Sequence, residues 1–150
     1  MPKKTGCHYL VYAPESGFQN TLQSIKKLVD LKKFMNAALT ARQLGIVVRF
    51  NLIVGFSNET RMDVFRTIIF SLKAARKGID KVSVNLLLPY PGFALLASLH
   101  EKSVISLSDD YFLKLASLKS EYTFLNPLTV NSRIGPRELG IYRLALIIHS

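Results

Sequence analysis

Cysteine is nearly missing from this chain: Cys7 stands alone in 150 residues. One thiol cannot close an intrachain disulfide, which excludes a disulfide-stapled scaffold and fits a reducing compartment. Long hydrophobic runs are missing too. Tyr9 to Ala13 is typical, about one strand long, where a membrane helix needs roughly 20 apolar residues. The opening Met1-Pro2-Lys3-Lys4-Thr5-Gly6 leads into only about six mostly apolar residues, too few for a secretory signal. These absences make a cytoplasmic protein the expectation. His8, His100 and His149 have no metal-ligand spacing, and there is no G-x-S-x-G, P-loop or dinucleotide fingerprint.

What is present is a chain able to bury a core. Hydrophobic residues make up 49% of it and the mean hydropathy is +0.21, so a single folded domain is the default. Twenty Lys and Arg oppose ten Asp and Glu, a net charge of +10. The excess is front-loaded, at +6, +3 and +1 over successive thirds. Much of it is Lys26, Lys27, Lys32, Lys33 and Arg42, which a solvated helix face explains. No aromatic-interleaved basic motif, zinc spacing or RNP-like run supports nucleic acid.

Three apolar runs each end in a turn signature followed by a helical pattern. They are Tyr9–Ala13 into Pro14-Glu15-Ser16-Gly17, Val47–Val54 into Gly55-Phe56-Ser57-Asn58-Glu59-Thr60, and Val82–Leu88 into Pro89-Tyr90-Pro91-Gly92. This predicts α/β strand–helix units, whose ligands sit at the carboxyl ends of parallel strands. A short helix is expected over Phe18–Ile25 and a longer one over Leu31–Leu44, closed by Gly45. Near-continuous apolarity over Ile46–Val54 predicts a strand covered on both sides. The next helix starts at Asn58-Glu59-Thr60 with Asp63 spaced for a capping box. Its expected inward face is Val64, Phe65, Ile68, Ile69, Leu72 and Ala75. Lys81–Leu88 is the third strand, and Pro89 and Pro91 end its pairing. Further on, Ala94–Glu101 and Ser108–Leu118 read as helices, 121–134 as irregular, and Arg137–Ile148 as a last helix opened by Pro136. Asp80, Asp109 and Asp110 read as turn and cap residues.

The ordered set of signatures resembles the radical S-adenosylmethionine superfamily, in its cobalamin-dependent and anaerobic magnesium-protoporphyrin ester cyclase-like branch. The resemblance runs over about residues 5–100 and rests on three stretches. These are Gly6-Cys7 with Glu15-Ser16-Gly17, Leu22, Ile25 and Lys27; Gly45-Ile46 with Asn51–Phe56 and Glu59-Thr60; and Pro89-Tyr90-Pro91-Gly92 with Leu95. It implies a partial (β/α)6 barrel over 1–100, about three parallel strands with crossover helices, and a helical extension over 101–150. The family's C-x3-C-x2-C loop for a [4Fe–4S] cluster has no counterpart here, because Cys7 is alone and a cluster needs several thiolates. The usual Pro-Gly before Glu-Thr is Ser57-Asn58, and the threonine after Pro-Gly is Phe93. The expectation is the carboxyl-terminal half of such an enzyme, inactive alone. It would supply ribose, adenine and substrate-side walls for S-adenosylmethionine, with cobalamin an option of the complete protein.

By the same resemblance, Glu15 faces the sugar or methionine part of the cosubstrate, Lys27 its carboxylate, and Asn51 the ribose. Gly55 and the backbone of Leu86–Leu88, Leu87 central, line an adenine slot. Each residue also has a plainer reading. Glu15 suits a helix N-terminus, Lys27 a solvated face, Asn51 a satisfied structural amide, and Leu87 a core. Arg49 is either an outlying partner for an anion or a strand-start residue. Expected partners are a small-molecule substrate in the complete enzyme and a chain or segment completing the barrel, with no membrane. The alternative is a non-catalytic α/β assembly module docking on a partner that carries the missing strands.

Overall fold

Every second residue of Val47–Val54 is fully buried. Val48, Phe50, Leu52 and Val54 are each 0% exposed, while Val47 is 41% exposed. Among the described residues, a run that looks uniformly apolar therefore alternates like a strand fully covered on one face only, with Arg49, Asn51 and Ile53 half-buried on the other. This corrects the expectation of cover on both sides.

The computed structural model describes residues 6–88, 101, 108–117 and 129–147. Its elements are β1 (Tyr9–Glu15), α1 (Gln19–Ser24), α2 (Leu31–Gln43), β2 (Val47–Val54), α3 (Arg61–Arg76), β3 (Lys81–Leu86), α4 (Asp109–Ser117) and α5 (Pro136–Ile147). The three strands form one parallel sheet in the order β1-β2-β3. Sequential order with crossovers of one hand puts the connecting helices on one face, and the core shows this. Met35, Ala38 and Ala41 of α2 pack with Val48, Phe50 and Ala74. Val64 of α3 packs with Leu52, Val54, Val84, Ile134 and Leu139. Phe50 is the hub, its ring 5.2 Å from Phe34 and stacked 6.3 Å from Phe70. Expected segments 94–100 and 121–128, with Pro89 and Pro91, lie outside the described residues. Among the described residues no helix is long and apolar enough to cross a membrane.

Local chemistry sets the helix starts. Asp30 caps α2 by accepting from the Lys32 and Lys33 amides, both at 2.9 Å. Those bonds, the Lys33 one foremost, hold its carboxyl below the usual range. Thr60 and Asp63 form the expected capping box on α3.

The buried face of α3, however, is Val64, Thr67, Ser71 and Ala74. Phe65 is 53% and Leu72 37% exposed, and Ala75 is exposed too. The helix is turned from the face hydrophobicity alone predicts because the β1–α1 turn packs directly onto it. The Ser16 hydroxyl meets the Thr67 hydroxyl at 3.1 Å, and the Gly17 amide donates to Thr67 Oγ1 at 3.2 Å. A Cβ on Gly17 would sit 2.4 Å from Phe70 Cβ and 2.9 Å from Thr67 Cα. Gly17→Ala should therefore destabilise by about 1–3 kcal/mol through overpacking. Urea denaturation checks it, and an unchanged midpoint would contradict this account of the turn.

Candidate functional site

Parallel strands end together, so the carboxyl ends of β1, β2 and β3 share one rim. At the first, the register slips between Tyr12 and Glu15, leaving Ala13 and Pro14 bulged against β2. Glu15 follows with φ of 71°, a left-handed conformation that costs a residue with a side chain about 1–3 kcal/mol. Bulges and such strained residues concentrate where a chain re-aims a side chain. Lys27 Nζ bonds Glu15 Oε1 at 2.7 Å and the Ala13 carbonyl at 2.7 Å. The side chains keep 25% and 32% of their surface, so the pair stands half in water. Glu15 Oε2 accepts from no described residue. Lys27 also lines a surface groove of about 590 Å³ with Gln19, Gln23, Leu28 and Val29, and no other described rim residue lines it.

At the second strand end, Gly55 has φ of 96°, a region open to glycine. A Cβ there would meet Leu139 Cδ1 at 3.4 Å and the Leu87 nitrogen at 3.9 Å. The Leu87 amide donates to the Val54 carbonyl at 2.8 Å, so the Gly55 and Leu87 backbones lie side by side.

Behind Gly55 lies Glu59, 2% exposed. Its Oε2 accepts from the Gly55 and Phe56 amides at 2.7 and 3.0 Å, while buried Oε1 has no hydrogen-bond partner among the described residues. Burial pushes its pKa from 4.5 to about 7 against the two amide bonds, and nearby Asp63 adds to the rise. Asn131 closes the loop from the other side. Its Nδ2 donates to the carbonyls of Phe56 and Glu59 at 2.6 and 2.9 Å, and its Oδ1 accepts from the Arg133 and Ile134 amides at 2.7 and 2.8 Å. Arg61 forks onto Glu138 at 2.6 and 2.8 Å, and the Tyr142 hydroxyl donates to Glu138. The β2–α3 turn is thus held from beneath by α5 and the loop before it.

Asn51 sits lower, on the open sheet face. Its Oδ1 accepts from Arg49 Nε at 3.0 Å, and in register it lies beside Ser83. The structure thus puts Glu15 with Lys27 and Gly55 with Leu87 on the rim, and Asn51 below it in a polar row on the face. Glu59 and Asn131 escape sequence reasoning as site residues. Glu59 reads only as a helix start, although a carboxylate four residues past a strand-end glycine is a signal for turn bonding. Asn131 falls in a stretch read as irregular. Its trace is an Asn two residues before the amide it caps, the habit of an Asx turn.

No family model matches the chain. It is similar to an uncharacterized methyltransferase of Pyrococcus horikoshii, 33% identical over 93 residues, which is 62% of this chain and 20% of the relative. The chain thus spans about a fifth of that relative's length. These findings correct the radical S-adenosylmethionine resemblance, its cobalamin-dependent and ester cyclase-like branch, and the reading as a fragment of such an enzyme. The similarity found is to a protein named as a methyltransferase. The iron–sulfur and cobalamin expectations lose their support with it. Among the described residues no three His, Cys, Asp or Glu side chains group to hold a metal ion, and the Cys7 thiol donates to the Tyr9 carbonyl at 3.7 Å. Nor does a methyltransferase relative favour the alternative of a non-catalytic assembly module.

Proposed function

We propose that this chain is the methyl-donor-binding part of a methyltransferase and that its carboxyl rim takes S-adenosylmethionine. The support is one conjunction: similarity to a methyltransferase and a parallel sheet that ends in a strained carboxylate and an adjoining glycine backbone. The residues present suit that cosubstrate. Glu15 keeps one carboxylate oxygen open to accept from ribose hydroxyls, and Lys27 offers a compact positive charge for an amino-acid carboxylate. The backbones of Gly55 and Leu87 form a flat wall on which an adenine ring can lie. The Asn51 amide, with Nδ2 bonded to no described residue, offers a donor below them. S-adenosylmethionine supplies a sulfonium-activated methyl group, and the part of this chain is to bind and orient it.

The same reading makes the sheet one sector of a larger parallel sheet or barrel continuing past β1, whose outer edge pairs with no described strand. The rest of that sheet comes from further residues of a longer chain or from a partner chain, and the methyl acceptor is a small molecule. Equilibrium dialysis against labelled S-adenosylmethionine tests the assignment. Saturable binding is expected, weakened roughly tenfold in Glu15→Gln, the worth of one charge-assisted hydrogen bond. Circular dichroism should show that variant folded. Equal retention by the two folded proteins, or none by either, would contradict it.

A further inference from the structure

The face of the sheet opposite the helices carries a cationic row that, among the described residues, has no counter-charge. Arg49 stands on it with its guanidinium tethered by two neutral acceptors, Asn51 Oδ1 at 3.0 Å from Nε and Ser83 Oγ at 2.8 Å from Nη2. In register, Arg49 lies beside Lys81, and the Ser83 bond shows that the alternate β3 residues 81 and 83 share its face. Two positive side chains side by side on neighbouring strands destabilise a sheet. Among the described residues no carboxylate forms an ion pair with either: the four ion pairs use Lys27, Arg42, Arg61 and Arg66. Asp80, adjacent in sequence, is turned away, accepting from the Val48 amide and pairing with Arg42. A guanidinium whose fork is fixed by neutral partners keeps its charge and its remaining N–H groups for something else.

We infer that this open face is an oxyanion site, in which Arg49 and Lys81 bind the carboxylate or phosphate group of an organic ligand. Asn51 and Ser83 act as positioning residues that hold the fork in plane. The ligand's body is apolar, because the neighbours on the same face are Val11, paired in register with Arg49, and Tyr9 and Val47. These are exposed at 53%, 44% and 41%. The site lies below the rim proposed for the methyl donor and does not depend on that proposal.

The test uses the whole chain with four probes: acetate, benzoate, inorganic phosphate and phenyl phosphate, each against chloride at equal ionic strength. The Arg49 Nε–Hε resonance, identified as the signal lost in Arg49→Lys, should move saturably with the oxyanions. Benzoate should act at lower concentration than acetate, and phenyl phosphate at lower concentration than inorganic phosphate. Comparison of the two pairs tells a carboxylate site from a phosphate site. Lys81→Gln should weaken the best probe severalfold and, without any oxyanion, raise the melting temperature by removing the like-charge contact. An Arg49 resonance that follows ionic strength alone, or one that responds identically in Lys81→Gln, would overturn the inference. No methyl donor enters the experiment, so its failure and that of the dialysis are separable.

Discussion

Raising the pH from about 5 to about 8 should weaken this protein, and Glu59→Gln should remove most of the loss. The pKa of Glu59 rises from 4.5 to about 7 on folding. Below 4.5 the carboxyl is protonated in both states and burial costs nothing extra. Between 4.5 and about 7 the unfolded chain releases the proton and the folded one keeps it, so stability falls as pH rises. Above 7 both are ionised and the full cost of a buried charge remains. The displacement corresponds to about 3 kcal/mol. Glutamine reproduces the protonated form, because its carbonyl can take the Gly55 and Phe56 amides that Oε2 takes. Its NH2 then replaces an oxygen that has no partner among the described residues. Denaturation at both pH values should show wild type falling and the variant nearly level in this window. Parallel pH profiles would contradict the burial of this carboxyl.

The second large effect is expected at Asn131, whose amide serves as donor to two carbonyls and acceptor for two amides. Asn131→Ala should cost about 2–4 kcal/mol by leaving buried groups unpaired, softened because the Phe56 carbonyl retains the Glu59 amide at 3.0 Å. Asn131→Asp should be worse although it is the same size. An ionised carboxylate cannot donate, so it would face the Phe56 and Glu59 carbonyls as one acceptor against two. Urea unfolding of the three proteins at neutral pH checks the order. An aspartate variant as stable as wild type would contradict the donor assignment at Nδ2.

What the sequence makes legible is local. The three apolar runs are strands because turn chemistry bounds them, and Asp63 three residues after Thr60 marks a capping box that the structure contains. Position relative to neighbours is less legible. Arg49, Asn51 and Ile53 share a face with exposed Val47, but the run Val47–Val54 carries too few polar residues to betray one-sided cover. The true face of α3 depends on Gly17 and Ser16, some fifty residues earlier, pressing on Thr67, and no periodicity within the helix encodes that contact. Glu59 and Asn131 meet across a still longer gap, 72 residues. Short motifs of glycine, glutamate and proline recur on many α/β rims, which is how an ordered set of them resembled an iron–sulfur enzyme family that the comparisons do not support.

The most direct measurement is a backbone amide NMR titration of the chain with S-adenosylhomocysteine, the product left after methyl transfer. Saturable shifts should cluster at Glu15, Ser16, Gly17, Gly55, Phe56 and Leu87, with the outer faces of α2 and α3, at Asn36 and Leu72, unmoved. No saturable shift, or shifts centred on those outer faces, would contradict the assignment of the rim as the methyl-donor site.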